Sequence, residues 1–129
     1  MARVLVVEDN ASNMTLATFL LKSAGHVVLG ATDAEAGLKL ARAEQPALIL
    51  MDIQLPGMDG LQATALLKGD AATRAIPVIA LTALAMKGDE ERIRAAGCDG
   101  YIAKPMAYRE FLATVGMFLP TGAHGATAS

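Results

Sequence analysis

Five short apolar runs recur along the chain, separated by longer segments in which apolar residues repeat with helical spacing. The runs lack the alternation of apolar and polar residues that marks a strand with one solvated face. Continuous apolar runs of this length are typical of strands buried on both faces of a parallel sheet. We therefore predict five buried parallel strands, at Val4–Val7, Val27–Leu29, Ala47–Met51, Val78–Leu81 and Tyr101–Ala103.

Five helices are predicted between and after these runs. The first carries its apolar residues on one face and ends at Gly25, where a helix C-cap favours a residue with positive φ. The second begins at the capping-box pattern Thr32–Glu35 and stops before Pro46. The other three are expected over Gly60–Lys68, from about Asp89 to Gly97, and over Tyr108–Val115.

The alternation of strand and helix predicts an α/β fold, with right-handed crossovers and helices on both faces of a parallel sheet. At 129 residues one domain is expected. The leading candidate is a flavodoxin-like doubly wound (βα)5 fold with strand order 2-1-3-4-5. We expect the domain to span residues 1–118. Residues 119–129 are small and helix-breaking, which predicts a flexible C-terminal tail.

Composition excludes several classes of protein. The chain is 53% hydrophobic and 19% charged, which favours a folded core over a disordered tail or a coiled coil. Its net charge is -2 and it has no long basic run, so direct nucleic-acid binding is not expected. One cysteine rules out an internal disulfide framework, and no apolar run is long enough for a signal peptide or a membrane span. We therefore expect a cytoplasmic protein without membrane insertion.

Carboxylates follow the first and third predicted strands. Glu8 and Asp9 end the first, and Asp52 ends the third. In the predicted strand order these two ends are neighbours at the point where the order reverses, which is where open parallel sheets bind ligands. Three carboxylates about 4 to 5 Å apart repel by about 3 to 4 kcal/mol per pair at an effective dielectric near 20. A cation is required, and Mg2+ suits a site that offers oxygen ligands and room for water.

Two further strand ends point to the same place. The fourth strand runs into Thr82, a hydroxyl donor, and the fifth runs into Lys104. A metal, an ammonium and a hydroxyl around one carboxylate are the groups that phosphoryl transfer requires, because the transferred group spreads negative charge over its equatorial oxygens. Asp52 is then the predicted nucleophile.

The same residues resemble the signature blocks of two-component response-regulator receiver domains. The blocks match in order and spacing over about residues 3–118, and they are Glu8-Asp9-Asn10, the segment Met51–Gly60, Leu81-Thr82-Ala83 and Lys104-Pro105. The resemblance implies that Asp52 accepts a phosphoryl group from a histidine kinase or a phosphotransfer protein. It also implies that Glu8 and Asp9 hold Mg2+.

The resemblance assigns roles to three further residues. The backbone carbonyl of Gln54 would complete the metal shell, Thr82 would report the phosphate and Lys104 would pair with it. Tyr101 is a plain sheet residue by pattern alone. In receivers the aromatic residue at this place swings inward when the threonine moves, so the resemblance implies a switch role for Tyr101.

The resemblance also bears on the biological setting. Residues 82–94 are similar to the DivK group of stand-alone regulators of bacterial cell division, and receivers of hybrid kinases share much of this stretch. Such a chain would phosphorylate and dephosphorylate itself without acting on an external substrate. Its output is expected to be a phosphorylation-controlled contact with a downstream protein, through the face formed by helix four, strand five and helix five.

Three alternatives stand beside this interpretation. A Mg2+-dependent phosphatase of the haloacid-dehalogenase type also uses a strand-end aspartate, but it needs an acid two residues later, where Gln54 stands. A flavin-binding module on this fold needs a phosphate loop after the first strand, where Glu8 and Asp9 would repel the phosphate. A receiver that passes phosphate on within a phosphorelay would share every feature above.

Overall fold

The computed structural model describes residues 2–83, 87–104 and 106–119. Within these ranges five strands alternate with five helices, and the sheet is parallel with the order β2-β1-β3-β4-β5. The strands are β1 (Arg3–Val7), β2 (Val27–Ala31), β3 (Leu48–Asp52), β4 (Val78–Thr82) and β5 (Gly100–Ala103). The helices are α1 (Ala11–Ser23), α2 (Ala34–Glu44), α3 (Gly60–Gly69), α4 (Lys87–Ala95) and α5 (Tyr108–Phe118). The flavodoxin-like fold class and strand order are confirmed.

Local hydrogen bonds explain where the helices begin. The Asn10 side chain caps α1 and the Asp33 side chain caps α2. The capping box predicted for α2 is absent, because Asp33 rather than Thr32 occupies the N-cap position and its carboxylate accepts the Ala36 N–H at 2.8 Å. A capping box does open α3, where Asp59 and Gln62 bond each other's backbone N–H groups.

Burial follows the position of each strand in the sheet. The central strands β3 and β4 are buried along their whole length, and β1 is buried after Arg3. The prediction of burial on both faces is wrong for β2 and β5, since each is an edge strand with a single neighbour. Val27, for example, is 40% exposed.

Two apolar layers hold the helices against the sheet. One layer joins α2, α3 and Ile93 of α4 to one face of the sheet. The other joins α1 and α5 to the opposite face, with Phe111 fully buried at its centre. Full burial of a side chain of this size stabilises the fold by about 1.5 to 3 kcal/mol.

Strand register brings the carboxyl ends of the strands to one edge of the sheet. Val7 pairs with Met51, Asp52 with Leu81, and Thr82 with Ala103. The residues that end or follow these strands are therefore neighbours in space. Gly60 is part of this arrangement, because a Cβ there would lie 2.1 Å from the Asp52 carbonyl oxygen, so α3 could not begin so close to β3.

Some predictions fall on residues outside the described ranges. Pro105 of the Lys104-Pro105 block lies there, as does the tail predicted over 119–129 apart from Leu119. The prediction is wrong for Leu119, which is 8% exposed because it packs in the core. Among the described helices, none is both long and apolar enough to cross a membrane.

Candidate functional site

Three carboxylates meet at the edge of the sheet between β1 and β3. Glu8, Asp9 and Asp52 each offer an oxygen atom, and these atoms all lie within 4.8 Å of one another. Glu8 and Asp52 are buried, whereas Asp9 is exposed. The structure thus brings together the three acids that the sequence places at the ends of the first and third strands, and leaves one side of the cluster open to water.

Backbone N–H groups orient the two buried carboxylates. The Asn10 N–H donates to Glu8 Oε2 at 3.1 Å, and the Gln54 N–H donates to Asp52 Oδ1 at 2.9 Å. In both cases the donor lies two residues after the acid, in the loop that leaves the strand, and for Asp52 the result is an Asx turn. Each carboxylate therefore keeps its second oxygen for another partner.

Lys104 supplies that partner to both acids. Its Nζ atom lies 3.0 Å from Glu8 Oε1 and 3.1 Å from Asp52 Oδ2, and its side chain is 15% exposed. The Lys104 backbone N–H donates to the Thr82 carbonyl at 2.8 Å, which extends the pairing of β4 with β5 to the site. One ammonium is therefore shared between two buried carboxylates.

Burial and neighbouring charges shift the pKa values of Glu8 and Lys104. Burial raises the pKa of Glu8, and Asp52 raises it further, while Lys104 and the Asn10 N–H act in the opposite direction. For Lys104, burial lowers the pKa, but the attraction of the Glu8 and Asp52 carboxylates outweighs burial and the net pKa is raised. The lysine therefore stays protonated at neutral pH.

The residues at the site fit a hard divalent cation. Every side-chain atom in the cluster that could bind a metal ion is a carboxylate oxygen. The cluster holds three carboxyl groups and a single ammonium group, so a further positive charge would be favourable. Among the described residues, no hydrogen bond of suitable geometry reaches Glu8 Oε1, which only faces the Lys104 ammonium. Buried, electron-rich oxygen atoms with one side open to water are what Mg2+ accepts, since it keeps several waters.

The other predicted site residues surround this cluster. Thr82 is 1% exposed at the end of β4, next to the strand that carries Asp52. Tyr101 lies half-buried on β5, and a hydrogen bond with Glu90 of α4 raises the pKa of the Tyr101 hydroxyl. Gln54 is exposed and contributes its N–H to Asp52. Its metal-binding carbonyl and the switch roles of Thr82 and Tyr101 stay predictions.

An apolar groove beside the site was not anticipated. It has a volume of about 510 Å³ and begins at the first turn of α1, directly after the acidic residues; its lining residues are Ala11, Ser12, Thr15, Leu16 and Phe19. Phe19 is 65% exposed and Leu16 is 37% exposed. The signal was present in the sequence, because both residues lie off the apolar face that α1 turns to the core.

The sequence profile of the response regulator receiver domain matches residues 4–116 of the chain. The chain belongs to the receiver domain family. This finding confirms the resemblance drawn from the four sequence blocks, and it distinguishes the receiver domain from the haloacid-dehalogenase and flavin-binding alternatives.

Curated relatives and solved structures agree with this family. The receiver domain is 49% identical over 116 residues to the polar-differentiation response regulator DivK of Brucella anthropi, a match that covers 90% of this chain and 94% of that protein. The DivK protein of Brucella melitensis matches with the same identity and coverage. The similarity to the DivK group is therefore confirmed.

Two solved structures show the fold in related proteins. The receiver domain of a Pseudomonas aeruginosa sensor histidine kinase, with a magnesium ion coordinated in its active-site cleft, is 35% identical with a TM-score of 0.85; the match covers 91% of this chain and 96% of that one. The chemotaxis protein CheY4 of Vibrio cholerae is 26% identical with a TM-score of 0.87, over 92% of this chain and 99% of that one.

Proposed function

We propose that this receiver domain accepts a phosphoryl group on Asp52 from a histidine kinase or a phosphotransfer protein, in a Mg2+-dependent reaction. The observation that carries the proposal is the position of Asp52, which lies in an acidic cluster and within 3.1 Å of the Lys104 ammonium. A buried carboxylate with a cation beside it and a metal-binding cluster around it is suited to attack phosphorus.

The proposed transfer is a single displacement. A bond forms between an Asp52 carboxylate oxygen and phosphorus as the bond from phosphorus to the donor imidazole nitrogen breaks, and the released imidazole takes up a proton. The Gln54 N–H orients the nucleophile, and Lys104 neutralises the negative charge that the phosphoryl oxygens bring. Glu8, Asp9, Asp52 and the Gln54 carbonyl would hold Mg2+, which when bound supplies further charge neutralisation at those oxygens.

A labelling experiment tests the acceptor. We expect acetyl phosphate and Mg2+ to add an acid-labile phosphoryl group to the wild-type protein and to the variant Glu35→Gln, which changes an exposed residue of α2. Asp52→Asn should take up none, although this nearly isosteric change preserves the fold. Labelling of Asp52→Asn at the wild-type level would show that Asp52 is not the acceptor.

We assign docking of the phosphodonor to the apolar groove on α1. Phosphodonor histidines have to approach the open side of the acidic cluster, and the groove begins at the first turn of the helix that follows Asp9. Exposed Phe19 and Leu16 offer the apolar surface that a partner helix can cover.

We assign the output to the face formed by α4, β5 and α5. Tyr101 connects two of these elements through its hydrogen bond with Glu90, and a cavity of about 280 Å³ opens between β5 and α5 beside it. Tyr108 on α5 is 56% exposed. Movement of Thr82 toward a phosphoryl group would alter this face through Tyr101, and a downstream protein would bind the altered face.

Two wider expectations complete the proposal. The named DivK relatives are polar-differentiation response regulators, and the similarity supports a part in cell division for this chain. We expect it to act in the cytoplasm, with the phosphoryl cycle as its own chemistry. Similarity to the receiver of a sensor histidine kinase supports a second candidate, in which Asp52 passes the group on within a phosphorelay. A domain that closes near the end of α5 at Phe118 fits the structure, with Leu119 still packed in the core, so the proposed tail begins after Leu119.

A further inference from the structure

A second apolar groove lies on α3, on the opposite face of the sheet from the groove on α1. This α3 groove has a volume of about 630 Å³, and its lining residues are Gly57, Met58, Gln62, Ala65 and Leu66. Leu66 is 50% exposed at its edge. An apolar recess beside an exposed leucine is typical of a surface that another protein covers. The proposed phosphoryl transfer does not use this surface.

The α3 groove carries no charge. All of its lining residues lie in the described part of the chain, and none of them is ionisable. Lys68 is the only charged residue of α3, and its ammonium lies 2.8 Å from the Ile76 carbonyl oxygen and 2.9 Å from the Asp99 carboxylate, outside the groove. A partner selected by charge, such as a nucleic acid or an acidic peptide, would find no complementary group there.

An uncharged surface of this kind suits a second copy of the same chain. In a twofold dimer each residue near the axis meets its own copy, so a charge at that position would repel itself. The surface must also be complementary to itself. Leu66 protrudes at one end of the α3 groove, and the other end is open at Gly57, where an added Cβ would have no atom within 4 Å.

Charges at the two ends of α3 favour an antiparallel arrangement. The N-terminal end carries the carboxylate of Asp59. At the C-terminal end the guanidinium groups of Arg42 and Arg74 surround the single carboxylate of Asp70, so this end is positive. Antiparallel packing of two α3 helices would place the negative end of each copy beside the positive end of the other. Surface charges of this kind contribute little affinity, but they select the orientation.

We propose that this receiver domain self-associates through the α3 groove, as a twofold dimer in which Leu66 of each copy fills the Gly57 end of the groove of the other. The interface is small, because a ten-residue helix is only about 15 Å long. We therefore expect a dissociation constant of about 100 μM. At the low concentrations of a phosphotransfer assay the domain is then monomeric.

Two variants of α3 and one control test the interface. Leu66→Ser removes the side chain that fills the groove. Gln62 lies midway between Gly57 and Leu66, so Gln62→Glu would place two like charges near the axis; glutamate at this position still completes the capping box, which preserves the helix. Met117→Ser is the control, because it removes a 77% exposed apolar side chain from α5 on the opposite face of the sheet.

The first measurement is sedimentation velocity at protein concentrations from about 10 μM to 1 mM. The wild type and Met117→Ser should change from monomer to dimer over this range. In Leu66→Ser and Gln62→Glu the dissociation constant should rise at least about tenfold. Circular dichroism and thermal unfolding establish that each variant is folded. In the wild type, the amide resonances that shift on dilution should belong to residues 57–69.

The second measurement tests the twofold axis by reversing the charge. Gln62→Lys alone should self-associate as poorly as Gln62→Glu alone, because like charges meet in both. An equimolar mixture of the two variants should associate at least about tenfold more tightly than either variant by itself, since opposite charges then meet across the axis. Only a contact of Gln62 with its own copy predicts this rescue.

A wild-type protein that stays monomeric at about 1 mM would overturn the proposal and would assign the α3 groove to a different protein. Equal dissociation constants for the wild type and Leu66→Ser would also overturn it, as would a mixture of the Gln62 variants that associates no better than its components. Loss of association in Met117→Ser would place the interface on α5 instead. Sedimentation of the unphosphorylated protein needs no phosphodonor, so failure of the proposed function would leave this test unaffected.

Discussion

At the scale of single residues, the buried acids of this receiver domain owe their orientation to the backbone that follows them. Glu8 and Asp52 each accept an N–H from the residue two positions later, and Lys104 joins their remaining oxygens. Strand ends and tight loops thus set the geometry that chemistry needs, and the side chains have little freedom to lose on binding a metal.

Neutralising Asp9 should affect the apo protein and the metal-bound protein in opposite directions. Asp9→Asn removes one of three mutually repelling carboxylates, so the apo protein should melt at a higher temperature, with a gain of up to about 1 kcal/mol because Asp9 is exposed. Stabilisation by added Mg2+ should shrink. Differential scanning calorimetry with and without Mg2+ measures both effects, and a lower apo melting temperature would contradict the repulsion between these acids.

The single cysteine should be unreactive in the folded state. Cys98 is 8% exposed, and burial raises the pKa of its thiol, so less thiolate is present at any given pH. We expect iodoacetamide to alkylate the native protein at least about 100-fold more slowly than the protein in denaturant at pH 8. Mass spectrometry follows the reaction, and equal rates in the two states would show that Cys98 is accessible.

At the scale of elements, α1 contributes both to the core and to the surface beside the site. The inner face of α1 buries Ala17, Leu20 and Leu21 in the core. Its outer face leaves Leu16 and Phe19 in the groove beside the acidic cluster. The helix α1 therefore packs against the sheet with one face and borders the acidic site with the other.

Substitution of Phe19 should impair docking of the phosphodonor without affecting the reaction of Asp52 with acetyl phosphate. Phe19→Ser should slow phosphotransfer from a phosphorylated histidine protein by about 5- to 30-fold, the loss expected of an interface anchor residue. Labelling by acetyl phosphate and the free energy of unfolding should hardly change, since Phe19 is 65% exposed. Leu66→Ser on α3, which is 50% exposed, is the matched control. A slowdown equal to that of the control would exclude the groove as the docking place.

The contact between α2 and the end of α3 should depend on pH. The pKa of Asp70 is lowered, first by the Ala72 N–H and then by Arg42, whose Nε lies 3.1 Å from the Asp70 carboxylate. A lowered folded-state pKa gives stability that is present above the unfolded pKa and is lost as pH falls through the folded one. The difference in unfolding free energy between wild type and Asp70→Asn should therefore shrink as pH is lowered from neutral into the acid range. A constant difference in urea titrations would contradict it.

At the scale of the whole molecule, the proposed switch connects the site to the α4, β5 and α5 face. Thr82 ends β4 beside the strand that carries Asp52. The Tyr101 side chain on β5 forms a hydrogen bond with the Glu90 side chain on α4. A phosphoryl group shifts the equilibrium of the domain only by interacting differently with its two states. A hydroxyl that moves toward the phosphoryl group provides that difference.

Thr82→Ala should separate phosphorylation from signalling. The variant should still accept phosphate, because Asp52, Lys104 and the acidic cluster remain, but it should lose most of the gain in partner affinity. That gain is about 1 to 3 kcal/mol in coupled sites. Partner binding with and without beryllofluoride, in wild type and variant, measures it. An unchanged gain in Thr82→Ala would mean that the output takes another route.

Much of this receiver domain could be predicted from its amino-acid sequence alone. Local periodicity and caps predicted the ten elements within a few residues, and their alternation predicted a parallel sheet, because parallel strands need crossover helices. The order 2-1-3-4-5 was the leading candidate among doubly wound folds of this length, and the structure has it. That order was enough to bring Glu8, Asp9 and Asp52 to one edge. The similarity to receivers followed from the same residues.

The burial of the edge strands and the partners of Lys104 could not be predicted from the sequence pattern. The apolar runs of β2 and β5 are no different in kind from those of the central strands, yet an edge position leaves them partly exposed, because burial depends on neighbours rather than on composition. Likewise, the sequence assigned Lys104 to the phosphate but did not pair it with Glu8. That contact joins the two ends of the chain, and only the packing of β1, β3, β4 and β5 side by side brings the carboxylate within reach of the ammonium.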